Sequence, residues 1–139
     1  MKHFKIFFVT IITFTIFTNN SNADEIFELY KYLHSNPELS WQEFKTSDIL
    51  ASKMEGLGFN VTKGFAKTGV VSVLKNGEGP VLMIRADMDA LPVQEKTGLP
   101  YASSVKTKNK DNIEVPVMHA CGHDIHLSLI HISEPTRRY

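Results

Sequence analysis

The chain has 139 residues, 42% of them hydrophobic and 22% charged, and its basic and acidic side chains balance to a formal net charge of zero. That length suits one domain, and that mixture an ordinary globular protein. A neutral chain has no field with which to capture nucleic acid or an anionic membrane. Its one cysteine excludes an internal disulfide and a finger-type zinc site.

The first 23 residues read as an export leader. "MKHFK" is a basic start, Ile6 to Phe17 is an apolar run, and "TNNSNA" is a polar exit with Ser21 and Ala23 at the small-residue cleavage positions. The apolar run is shorter than the roughly 20 residues of a membrane span, so cleavage after Ala23 is expected rather than a stable membrane anchor. The mature chain is expected to be periplasmic or extracellular. There an idle thiol is a liability, and a metal–thiolate bond would protect it.

From Asp24 the chain takes on helical spacing. Ile26, Phe27, Leu29, Tyr30 and Leu33 form one apolar stripe, with Pro37 beyond its end. A second stripe (Trp41, Phe44, Leu50, Ala51, Met54, Leu57) predicts another packing helix. Its expected start is a capping box of Ser40 and Glu43, and its expected stop is Gly58. The period then shortens. "FNVTKG", "GVVSVLK" and "PVLMIRA" are β-branched or apolar runs separated by glycine turns, and Pro80 to Ala86 has the composition of a strand covered on both faces. Helices followed by strands and a further helix predict an α/β layered domain. "SSVKTKNKDNIE", residues 103–114, reads as an exposed polar excursion.

Two clusters carry chemistry. "RADMDALP" follows the third strand, where α/β sheets place their sites. In extended chain Asp87 and Asp89 point to one side, and two close carboxylates call for a cation or a proton between them. The alternative is that one caps a turn and the other is solvated. The second cluster is "VMHACGHDIH", residues 117–126. Cys121 and His123 can converge on one ion if the backbone turns at Gly122. Thiolate with imidazole suits zinc, and a carboxylate-rich shell would also accept manganese or cobalt. His119, Asp124 and His126 are further candidate ligands, or partners that fix an imidazole tautomer. A cysteine hydrolase with Cys121 as nucleophile is a weaker alternative.

"LHSNPELSWQEFKT", "RADMDALPVQEKTGLPY" and "MHACGHDIH" together resemble the dinuclear-metal amidohydrolases and metallopeptidases that include hippurate hydrolase, N-acyl-amino-acid amidohydrolases and plant auxin-conjugate hydrolases. The resemblance runs from about Ile26 to His126 and implies the N-terminal part of a zinc-exopeptidase-like catalytic domain, a mixed sheet flanked by helices. It implies two divalent cations, manganese or zinc and in some cases cobalt, and a small N-acyl amino acid as substrate. Cys121 matches a bridging ligand and His123 a second ligand. Asp89 matches the residue that orients a ligand, the one catalytic assignment, and Asp87 is a weaker match. The resemblance also implies a glutamate base in a Glu-Glu pair some tens of residues after the cysteine, two later histidine ligands, and an inserted domain that mediates dimerisation. These lie outside this chain.

After His126 the resemblance implies a helix rich in small residues, whereas the chain reads "LSLIHISEPTRRY". Glu134-Pro135 stops a helix, and residues 127–139 are read as a non-native tail in which His131, Arg137 and Arg138 carry no role. Residues 24–126 are then an N-terminal part of a metallohydrolase, expected to be inactive alone. The competing reading is a small exported metal-binding or interaction protein without catalysis.

Overall fold

The computed structural model describes residues 21–130. Helix α1 spans Ser21–Ser35 and α2 spans Phe44–Gly56; strands β1 (Asn60–Phe65), β2 (Gly69–Val73), β3 (Lys106–Lys108) and β4 (Glu114–Pro116) follow, and α3 is His123–Leu129. Most of the leader lies outside the described residues, and Ser21 to Ala23 form the first residues of α1. Residues 131–139 also lie outside them. Among the described residues no helix is long and apolar enough to cross a membrane.

The helical stripes meet where their spacing directs them. Leu29 and Leu33 of α1, Leu50 of α2 and Leu127 of α3 form one buried cluster. Burying a leucine fully stabilises by about 1.5–3 kcal/mol, so this cluster holds the three helices together. Leu127 and Ser128, both buried, pack α3 into the molecule beyond His126. A second cluster, Leu39, Ala90 and Val117, joins the segment after α1 to the two motif loops. Single-residue bridges run beside it, parallel between Leu39 and Ala90 and antiparallel between Leu91 and Met118.

Helix α2 ends as expected but starts differently. Gly58, at φ +84°, closes a Schellman turn: its N–H donates to the Glu55 carbonyl at 2.9 Å, and the Phe59 N–H to that of Met54 at 3.1 Å. At the other end the Ser40–Glu43 capping box does not form. The Glu38 carboxylate instead accepts the N–H groups of Lys45 (3.2 Å) and Thr46 (2.8 Å). Glu43 is turned to the hairpin, where its buried carboxylate accepts the Thr68 hydroxyl at 2.8 Å. Trp41 and Phe44 of the apolar stripe remain exposed.

β1 and β2 form an antiparallel hairpin, Asn60 opposite Val73 and Lys63 opposite Val70, with a shift in register between Lys63 and Phe65. Gly69 is required at its turn, because a Cβ there would stand 2.7 Å from the Phe65 carbonyl oxygen. Residues 103–114 are not a plain excursion. β3 and β4 pair antiparallel around a turn in which Asn109 Oδ1 accepts the N–H groups of Asp111 and Ile113, each at 3.0 Å.

The helices and small sheets make a mixed α/β segment, but the described residues form two separate two-stranded sheets rather than one larger sheet. Pro80 to Ala86 departs most from expectation. It is in no helix or strand and unpaired among the described residues, with Val81, Leu82 and Met83 more than four-fifths exposed. Its composition is that of a covered strand, yet only its end is covered, where Ala86 packs against the Leu29, Leu33, Leu50 and Leu127 cluster.

Candidate metal centre and its buried supports

Strain-tolerant backbone sets up the centre. Gly122 has φ +74°, a left-handed turn that puts Cys121 just outside α3 and His123 at its first position. Cys121 is exposed. The His123 ring is held from the "RADMDALP" loop. Its Nδ1 lies 2.8 Å from the Asp89 carbonyl oxygen and 3.2 Å from Asp89 Oδ1. A carbonyl oxygen only accepts, so Nδ1 carries the proton and donates, which leaves the Nε2 lone pair free on the neutral ring.

Asp87 and Asp89 contact different partners. Asp87 pairs with Arg85, while Asp89 holds His123. Both line a shallow cleft of about 260 Å³ whose other wall includes Trp41, Glu43 and Phe65. Trp41 holds φ +69°, costly for a bulky side chain. His126 is exposed, its ring centroid 6.5 Å from that of His123.

His119 and Asp124 point into the molecule instead. His119 is buried, and neither ring nitrogen has a hydrogen-bond partner in the structure. Burial holds its pKa below the ordinary imidazole value, although the charges of Asp124 and Asp89 pull the other way. Asp124 Oδ2 accepts from His34 Nδ1 at 2.7 Å, and Asp124 Oδ1 accepts the Ile125 N–H at 2.9 Å.

That bond leads to a network the sequence did not point out. His34 Nε2 donates to Glu95 Oε1 at 3.0 Å, and Glu95 also accepts the Ser103 N–H at 2.6 Å and the Thr97 hydroxyl. The side chains of His34, Glu95 and Asp124 are 7%, 0% and 2% exposed. With an ionised carboxylate at each nitrogen, both nitrogens donate and the ring is an imidazolium. Burial pulls its pKa down, but the hydrogen bonds and charges of Glu95 and Asp124 outweigh this and hold it above the ordinary value. Burial pushes Glu95 up, and the hydrogen bonds from Thr97, His34 and Ser103 outweigh that and hold it below the usual carboxylate range. His34 and Glu95 both lie inside the quoted motifs, but a buried pair separated by 61 positions has no local signature.

The donors present fit one side of a metal group. His123 offers its Nε2 lone pair and Cys121, two residues earlier, an exposed thiol, and thiolate with imidazole suits zinc-like cations. Among the described residues no three His, Cys, Asp or Glu side chains converge to hold an ion, so a full coordination shell needs donors from elsewhere.

Residues 83–132 match the model of peptidase family M20/M25/M40. The chain is 48% identical over 95 residues to hippurate hydrolase of Campylobacter jejuni, covering 68% of this chain and 22% of that protein. It is 39% identical over 107 residues to N-acetyl-L-cysteine deacetylase of Bacillus subtilis, covering 76% and 24%. Among solved structures it is similar to the YXEP protein of Bacillus subtilis, titled a dinuclear metal binding peptidase from the M20 family. That match has a TM-score of 0.67 and 38% identity, and covers 79% of this chain and 29% of that one. The chain thus spans about a quarter of the length of the curated relatives it matches. Sequence and backbone point the same way: the chain is similar to peptidase family M20/M25/M40 over residues 83–132, and to a solved M20 peptidase over 79% of its length.

Proposed function

We propose that a protein containing this chain hydrolyses the amide bond of N-acyl amino acids, using two divalent cations, manganese, zinc or cobalt, held in part by Cys121 and His123. The observation that carries the reading is the His123 ring, whose Nδ1–H is engaged by the Asp89 carbonyl so that Nε2 is left as the lone-pair donor, two residues along the chain from the exposed Cys121. The relatives named for hippurate and N-acetyl-L-cysteine support the substrate class. A bound pair of such cations acidifies a water and polarises an amide carbonyl. The chain's own residues hold and aim. Cys121 offers a negative thiolate, and Asp89 fixes the His123 tautomer from its main chain and its carboxylate. On this reading the centre also needs a general base and further donors, since no three ligand-type side chains converge among the described residues. We also propose export, with the mature protein starting at Asp24.

The test is a protein of the relatives' full length that contains this chain, assayed on hippurate and other N-acyl amino acids with added manganese, zinc or cobalt. Turnover is expected there, and none from the 139-residue chain alone. Cys121→Ser should lower metal content towards one ion per chain and remove most of the activity, because two cations lose the charge they share. Two metals and near-normal rates in Cys121→Ser would overturn the ligand assignment.

A further inference from the structure

We propose that His34 is a positioning residue for the Cys121–His123 centre: through Asp124 it sets the rotation of α3 and so the direction of His123 Nε2. This deepens the reading of His123 as a cation ligand and rests on it. The geometry is a two-point tether. His123 and Asp124 are neighbours in the first turn of α3, about 100° apart around the helix at 3.6 residues per turn. His123 is tied to the Asp89 carbonyl at 2.8 Å, and Asp124 to His34 Nδ1 at 2.7 Å. One tether leaves a pivot; two in different directions fix the rotation.

Buried Leu127 and Ser128 anchor the second turn of α3, but its first turn has little besides these two tethers. Its N-cap is Gly122 in the left-handed region, with no side-chain cap. The Asp124 carboxylate also accepts the Ile125 N–H at 2.9 Å, so a pull on it is passed to the helix backbone. His34 is itself rigidly seated. Its ring meets Tyr101 edge-on at 5.5 Å and Tyr30 at 5.5 Å, and Nε2 is held by Glu95, which Ser103 and Thr97 hold in turn. Buried ionic groups are poor devices for stability alone, and fixing a register is their best attested use.

The experiment reads the His123 tautomer in this full chain, without metal, by long-range proton–nitrogen NMR of labelled imidazoles near neutral pH. In the unaltered chain both His34 nitrogens should be protonated, and His123 should carry its proton on Nδ1. His34→Asn puts an amide nitrogen where Nδ1 stood, keeping the Asp124 tether and dropping Glu95. His34→Gln puts it where Nε2 stood and does the reverse. The ratio of Nδ1–H to Nε2–H at His123 should hold in His34→Asn and fall about fivefold or more in His34→Gln, the weight of one ordinary hydrogen bond. A merely structural role would move both variants in proportion to lost stability. If neither variant folds, Glu95→Gln should retain the ratio and Asp124→Asn should lose it. The proposal is overturned by a wild-type His34 with bare Nδ1, a wild-type His123 protonated on Nε2, or variants that do not split. The cation reading is checked separately, in a protein of the relatives' full length: no thiolate-to-cobalt charge-transfer band on adding cobalt there would count against Cys121 as a ligand and leave the tautomer contrast standing.

Discussion

Asp89 grips His123 with two different atoms, and their distances decide what a substitution there will do. The main-chain carbonyl, at 2.8 Å, makes the shorter bond, and the carboxylate, at 3.2 Å, the longer. Asp89→Asn removes only the charge, so in a protein of full length it should fall at the lower end of the roughly 10–100-fold loss typical of ligand-orienting partners. Metal affinity by competitive titration reads this, and loss of both ions would show Asp89 to be a ligand instead. The His34 network makes a prediction about pH. The His34 pKa is raised, so its contribution is fully present below the ordinary imidazole value and is lost as pH rises through the folded value. The Glu95 pKa is lowered, so its contribution is present above the ordinary carboxylate value and is lost as pH falls through the folded one. Stability in urea should therefore be greatest between those two limits. His34→Asn should flatten the alkaline side of that profile, and an unchanged alkaline side would mean that His34 is not the charged group.

Helix α2 separates what a sequence displays from what only a fold supplies. Glu38→Ala should cost about 1–2 kcal/mol, since its carboxylate satisfies two N–H groups at the positive end of the helix. Ser40→Ala should stay within about 0.5 kcal/mol, because this exposed residue caps nothing. Urea midpoints of the two variants decide the matter, and equal losses would restore the capping box. Period and composition located α1, α2 and the strands of the first hairpin, because Leu29, Leu33 and Leu50 are spaced for one face and Gly58 supplies the left-handed stop, whereas α3 begins inside a stretch read only for its ligands. The cap was not legible, because Glu38 reaches it across a turn that the S-x-x-E pattern ignores. The β3–β4 hairpin was hidden by its lysines, which suit exposed strands as well as loops. In the centre, Cys121, His123 and Asp89 stood out by type and spacing. His34 and Glu95 did not, since their meaning depends on contacts 90 and 61 positions away.

For the molecule as a whole, the decisive feature is the bare run from Pro80 to Ala86. Val81, Leu82, Met83 and Ile84 are 96%, 85%, 82% and 53% exposed, and in a strand Val81 and Met83 would share one face and Leu82 and Ile84 the other. An unpaired apolar strand is a template for another chain, and zero net charge puts no long-range repulsion between copies. The 139-residue chain should therefore self-associate as its concentration rises, read by sedimentation velocity. Val81→Lys with Met83→Glu should keep it monomeric by breaking the apolar face and adding no net charge. The same pair should have the opposite effect in a protein of the relatives' full length. There the run is expected to be a covered strand, and two buried charges would cost several kcal/mol and lower the melting temperature. A chain that stays monomeric at high concentration would refute the edge argument. A full-length protein indifferent to both substitutions would show that the run is exposed there too, and that its apolar composition serves a surface rather than a core.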